Sequence, residues 1–292
     1  MEKTLFNLAP ESCEPDAALF HILPIPYSGA DDICQGMEFG PDAILDASAK
    51  TERFDVKSRR SLDRFGVYTH APVPTQTSAE REFAAIEDVA RRLDLFRPRR
   101  VPIALGGSAA ISAPLIRVAM EKYPDLSVLQ LSARAALRDS FGADGRFSSA
   151  CVMSRAAEVV REIAQVGTRS FSLEEYERFP ERIDAIISPE EIEDDFDRAV
   201  EKILWKTGVD IYLTVDMNVF DPGVVPGVGL PEPGGLTQRQ VVALIEAVVA
   251  GKNVVGADVV GTKPLGGGNI VSEYAAAKLV GQFIGAVARK RA

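Results

Sequence analysis

The stretch Thr214 to Leu236, TVDMNVFDPGVVPGVGLPEPGGL, decides how this chain is read. It takes up the end of a short apolar run, Ile211 to Val215, that predicts a buried strand, and delivers that strand into Asp216. Asn218 and the pair Asp221-Pro222 follow. The loop from Pro226 to Gly235 then has Gly and Pro residues that fix a tight, irregular backbone path, in which Asp221 can cap turns. Thr207-Gly208 marks a helix stop just before the strand, and Gln238 to Ala250 has apolar residues at helical spacing just after the loop.

The same alternation extends through the chain. Further strand-like runs lie at Leu19 to Leu23, Val101 to Leu105, Leu126 to Leu131, Ile183 to Ile187 and Val254 to Val260. Between them, Glu80 to Leu95, Ile111 to Lys122, Cys151 to Ile163, Glu190 to Lys206 and Val271 to Ala288 are amphipathic at helical spacing. Strands alternating with helices of that length predict βαβ units, hence an α/β fold with a mainly parallel, doubly covered sheet. The functional crevice of such a sheet lies at the carboxyl ends of its strands. Residues 71 to 79 are the most linker-like segment, but apolar patterning resumes on both sides, so residues 1–292 are expected to form a single domain behind an irregular segment at 1–18.

Composition narrows the function classes. With 292 residues, 46% of them hydrophobic, the chain can bury a sizeable core. A net charge of −9 argues against partners that rely on clustered Lys and Arg, so no nucleic acid and no anionic membrane surface is expected. Arg97-Pro98-Arg99-Arg100 is short and precedes an apolar strand, which reads as a solvated edge. Cys13, Cys34 and Cys151 are odd in number and lack CxxC spacing, as expected for reduced thiols in a cytoplasmic protein. The start, MEKTLFNLAPESCEPD, is broken by Pro and acids before any apolar run forms, so no signal peptide is expected. No run of about 18 apolar residues occurs to span a membrane.

Six segments together resemble the ureohydrolases, the family of arginase, agmatinase and formimidoylglutamase. The opening stretch resembles the family's metal-binding Asp-x-Asp-x-x-Asp-Pro. Gly36 with Gly40-Pro41-Asp42-Ala43-Ile44 is similar to its amino-terminal Gly-Pro turn. Leu105-Gly106-Gly107-Ser108-Ala109-Ala110-Ile111 lies where the family has Gly-Gly-Asp-His-Ser, and Leu131-Ser132-Ala133-Arg134-Ala135-Ala136-Leu137-Arg138-Asp139 where it has Asp-Ala-His-x-Asp-x-Arg. Ser148-Ser149-Ala150 matches a Ser-His-Ala segment, and Gln165 to Ser170 a nearby strand and loop. The resemblance implies an arginase-like three-layer αβα sandwich on a doubly wound sheet of about eight strands. It also implies two Mn²⁺ ions held by carboxylates and imidazoles, whose shared water attacks a guanidinium carbon.

Carried over residue by residue, most of that machinery is absent. The histidine ligand falls on Ala109, the Asp-x-His-x-Asp trio on Ser132, Arg134 and Ala136, and the strand pair on Asp216 and Asn218, so five of six ligand positions are substituted. The histidine resembling a proton shuttle falls on Ser149, and the glutamate that meets the substrate guanidinium falls on Gly261. His21 and His70 lie outside these motifs and read as structural. Without a base nearby, Ser108, Ser132 and Ser149 are not expected to be nucleophiles, and Cys151 reads as a buried, inert thiol.

The expectation is therefore a ureohydrolase-fold homologue without a metal cofactor and without catalytic residues, a pseudoenzyme with a binding, scaffolding or regulatory role. The alternative is a divergent agmatinase- or arginase-type hydrolase of linear guanidino or amidino C–N bonds. Ser108, Ser132, Arg134, Ser149, Asp216, Asn218 and Asp221 are the candidate contacts to a small polar ligand, with Arg134 expected to neutralise Asp216. Glu232, between two prolines, reads as a rigid-turn anchor. By the resemblance, partners are further copies in a trimer or hexamer, or an active homologue in a hetero-oligomer.

Overall fold

The structure, a computed structural model, describes residues 3–9, 12–30 and 35–291. Strand β1 (Phe20–Ile25) leads to α1 (Gly40–Ser48), the small antiparallel hairpin β2 (Phe54–Asp55) and β3 (Arg60–Ser61), and β4 (Val67–Thr69). Next come α2 (Ala79–Arg92), β5 (Val101–Gly106), α3 (Ser112–Met120), β6 (Ser127–Leu131), α4 (Val152–Ala156) and β7 (Ile163–Val166). Four helices, α5 (Leu173–Arg178), α6 (Pro180–Ile183), α7 (Pro189–Asp194) and α8 (Phe196–Lys206), precede β8 (Asp210–Asp216). The chain closes with α9 (Gln238–Gly251), β9 (Asn253–Val260) and α10 (Val271–Arg291).

One sheet of seven strands runs β4-β1-β5-β9-β8-β6-β7, every neighbouring pair parallel, which makes a three-layer α/β sandwich. Because both faces are covered, β1 and β5 are buried along their whole length and read as continuous apolar runs. Phe20, Ile22, Leu213 and Val215 face the layer of α1, α8, α9 and α10, while Leu23, Ile25, Tyr212 and Val255 face that of α2, α3 and α4. Strand order reverses near the centre, where β5 meets β9, and the crevice expected at such a switch lies beyond the ends of β5, β6, β8 and β9.

Sheet and helix assignments depart from the periodicity at three places. Ile183–Ile187 is not a strand: Pro180 opens α6, which runs to Ile183, and only Ile187 reaches the sheet, as a single bridge to Val166. The sheet accordingly has seven strands and not about eight. The helix expected over Glu190–Lys206 is broken at Asp195, whose extended backbone and side chain, accepting from the Arg198 amide at 3.0 Å, start α8 afresh. Cys151–Ile163 holds only the short α4, and Ile163 already belongs to β7, where it pairs with Val128 of β6.

Arg100 is no solvated edge: it is buried, donating to the Leu93 carbonyl at 2.6 Å and to Asp16 at 2.9 Å. Cys151 is buried, and desolvation lifts its thiol to about 11, far from a reactive thiolate. Cys34 lies outside the described residues. Among the described residues no helix is long and apolar enough to cross a membrane.

Candidate functional site

A cavity of about 130 Å³ opens beyond the carboxyl ends of the central strands. All eight positions singled out by the resemblance line it: Ala109 after β5, Ser132, Arg134 and Ala136 after β6, Ser149 ahead of α4, Asp216 and Asn218 at the end of β8, and Gly261 after β9. Their convergence is not made by strand pleat. β6 ends at Leu131 and β8 at Asp216; beyond them the chain turns, and Asn218 lies in a 3₁₀ turn whose amide donates to Asp216 Oδ1 at 3.1 Å. Turns and loops gather the residues, and the strands only set where those begin.

Asp216 is the pocket's floor carboxylate. Its surroundings raise its pKa from 3.8 to about 6, chiefly through burial and against the Asn218 amide, with the negative charge of Asp258 adding to the rise. The expected pair between Arg134 and Asp216 is not made. Arg134 instead donates from Nη2 to Glu232 Oε2 at 3.1 Å and acts on Asp216 only through space. The physical reason is desolvation: Glu232 lies at the partly exposed rim, where both charges keep water, whereas stacking a guanidinium onto the floor would strip it. Arg134 Nε is buried without a hydrogen-bond partner.

Asn218 ties two strand ends together, its Oδ1 accepting from Ser132 Oγ at 3.1 Å and from the Ala133 amide at 2.8 Å. Ser149 lies on the cavity wall. Ser108 and Asp221 do not. Ser108 is buried and caps the turn at 109–111 by accepting from the Ala110 amide at 3.3 Å. Asp221 is consumed by its own loop, accepting from the amides of Gly223 at 2.8 Å, Gly234 at 3.0 Å and Gly235 at 3.3 Å, which hold its carboxyl below the ordinary range. Both therefore leave the ligand-contact set.

Two positions on the cavity wall have left-handed backbone. Ala136 holds φ 53°, a left-handed conformation that aspartate tolerates and alanine resists. Ala136→Gly is expected to stabilise the protein by about 1 kcal/mol in urea unfolding, and a loss of stability would contradict that strain. Gly261 holds φ 83°, and a Cβ there would fall 2.2 Å from Asp216 Oδ1. Asp216 thus occupies the space into which a side chain at 261 would extend.

Several lining or supporting residues escaped the sequence reading. Arg138 stacks on Phe141 at 5.0 Å to the ring centre, and both line the cavity. Arg169 gathers carbonyls of the two loops, donating from Nη1 to Gly167 at 2.9 Å, from Nη2 to Asn218 at 3.1 Å and from Nε to Pro233 at 2.9 Å. A lone arginine two residues beyond the glycine that follows a buried strand was the available signal. Away from the pocket, His21 Nδ1 and His70 Nε2 meet at 2.9 Å, and burial holds both rings near pKa 4.

The donor set does not fit a pair of divalent ions. Hard cations need several carboxylates to offset their dehydration, and the six positions offer one, beside a guanidinium, two alanines, and a serine hydroxyl and an amide oxygen already engaged with each other. Among the described residues no three His, Cys, Asp or Glu side chains converge.

A model of the family described as "Arginase family" matches residues 18–285, nearly the whole described sandwich. This chain belongs to the arginase family. Within that family it is 31% identical over 275 residues to an N(1)-aminopropylagmatine ureohydrolase of Synechocystis, covering 92% of this chain and 89% of the relative. A Thermus thermophilus protein of the same name is 32% identical over 265 residues, covering 90% and 88%. The solved agmatine ureohydrolase of Thermoplasma volcanium superimposes with a TM-score of 0.87 at 27% identity, covering 98% of this chain and 94% of that one. The arginase-family fold is therefore shared along the chain.

Proposed function

We propose that this arginase-family protein binds a small polar ligand in the strand-end pocket without a dimanganese centre and without ureohydrolase turnover. The observation that supports this is the donor set: where a metal pair needs carboxylates and imidazoles, the pocket wall has Ala109, Ser132, Arg134, Ala136 and Asn218 around the single carboxylate of Asp216. The same reading includes a binding, scaffolding or regulatory role, in a homo-oligomer or beside an active relative, in the cytoplasm.

A second reading is hydrolysis of a linear amidine or guanidine, and the names of the relatives favour it over the first. Agmatinases and aminopropylagmatine ureohydrolases match across most of their length. One experiment separates the two. Purified protein is incubated with Mn²⁺ and with arginine, agmatine, guanidinobutyrate or formimidoylglutamate, and urea or formamide is measured beside bound metal. The expected result is substoichiometric manganese and product at the blank level. Stoichiometric metal, or turnover abolished by Asp216→Ala, would establish the hydrolase instead.

A further inference from the structure

We propose that the pocket takes the carboxylate of a small organic acid on Arg134, with Glu232 holding that place in the ligand-free protein. This rests on the reading of the pocket as a metal-free binding site and names the chemical class it binds.

Three observations converge. Arg134 lines the cavity and already binds a carboxylate, Oε2 of Glu232, through one nitrogen at 3.1 Å. A guanidinium is a fork that accommodates a carboxylate with two parallel donors, yet its Nε is buried and unpartnered. The Glu232 contact leaves that donor unused, and an incoming carboxylate can engage it. Glu232 itself is partly exposed, on the loop whose Gly229 and Leu230 form part of the cavity wall, so the pair is a surface ion pair that a ligand can displace at little expense.

The rest of the wall suits the body of such an acid. Met37, Phe141, Val152 and Leu230 give an apolar side against which a short carbon chain can lie. A cavity near 150 Å³ holds about six carbon atoms, so about 130 Å³ takes an acid of about the size of butanoate. Arg138 adds a second positive charge on the wall, shared with Glu174 at 3.4 Å. Asp216 opposes an anion, but its Oδ1 already accepts the Asn218 amide and burial makes the carboxyl easier to protonate than a free aspartate.

The test uses the whole chain and three probes of one shape: butanoate, butanamide and butylguanidinium, titrated by NMR or calorimetry. Butanoate is expected to bind with a Kd of about millimolar, and butanamide at least about tenfold more weakly, since charge-assisted pairing is lost. Arg134→Gln is expected to weaken butanoate by about tenfold or more. Glu232→Gln, which removes the competing carboxylate and leaves the floor intact, is expected to tighten it by about two- to fivefold. That gain keeps the proposal falsifiable should Arg134→Gln fold poorly. Preference for butylguanidinium or butanamide, no binding of any probe, or no gain in Glu232→Gln would overturn it. Preference for butylguanidinium without manganese leaves the metal-free pocket standing, whereas manganese-dependent urea release removes the functional reading itself.

Discussion

Replacing Gly261 by alanine is expected to destabilise the protein by about 4 kcal/mol, read from denaturant unfolding. Two effects add. At φ 83° an L side chain strains the backbone by about 1–2 kcal/mol, and a Cβ placed 2.2 Å from Asp216 Oδ1 forces that carboxylate away from its partners, an overpacking of about 1–3 kcal/mol. Asp216 has little room to yield, since its carboxylate accepts the Asn218 amide and lies at the last residue of β8. A double-mutant cycle separates the two effects. In an Asp216→Ala background the collision is gone, and the same change at Gly261 is expected to cost only the backbone share. An unchanged penalty would show that Asp216 is not what Gly261 makes room for. The outcome bears on function as well, because a glutamate at 261 could not reach into this pocket without first displacing Asp216.

The second large effect is a pH-dependent one, at Asp258. This carboxylate is fully buried between the sheet and α3, accepting from Tyr212 at 2.9 Å and Thr214 at 2.6 Å, with Ser112 and Thr214 in contact at 3.2 Å. No cation pairs with it among the described residues, and burial raises it from 3.8 to about 6 against those hydroxyl donors. A carboxyl with a raised folded pKa holds its proton more tightly in the folded state. Its ionisation therefore penalises folding above pH 6, and stability is gained as pH falls from 6 toward 4. Asp258→Asn removes that gain. Relative to the variant, the wild type is expected to become more stable by about 2 kcal/mol between pH 7.5 and pH 4, measured by urea unfolding at each pH. Comparison with the variant matters, because His21 and His70, held near 4 against an ordinary 6.5, lose stability over the same interval and mask the effect in wild type alone. Parallel stability curves for the two proteins would mean that Asp258 does not titrate in this range.

Much of the fold was legible in the chain because burial on both sheet faces leaves its mark locally. Runs such as Ile211 to Val215 and Val254 to Val260 became central strands, and the periodic segments at Glu80 to Leu95 and Gln238 to Ala250 became helices with nearly those bounds. What failed was decided by single residues acting at a distance from periodicity. Pro180 opened a short helix that ends where the apolar run begins, at Ile183, and Asp195 divided one amphipathic segment into two. At the site, Ala109, Ser132, Arg134, Ala136 and Asn218 are visible in the sequence, and with them the donor chemistry of the cavity wall.

The sequence by itself determined the family, the alternation of strand and helix, and the residues at the six positions that the resemblance assigns to metal ligands, five of them without a carboxylate or imidazole, since each is a matter of residue identity and order. Only the tertiary structure decided where charges pair. Arg134 goes to Glu232 and not to Asp216, Asp221 is spent on three loop amides, and Gly261 makes room for a carboxylate from a strand 45 residues earlier in the chain. Such choices depend on desolvation and on close approach between segments remote in sequence, quantities that no local pattern encodes.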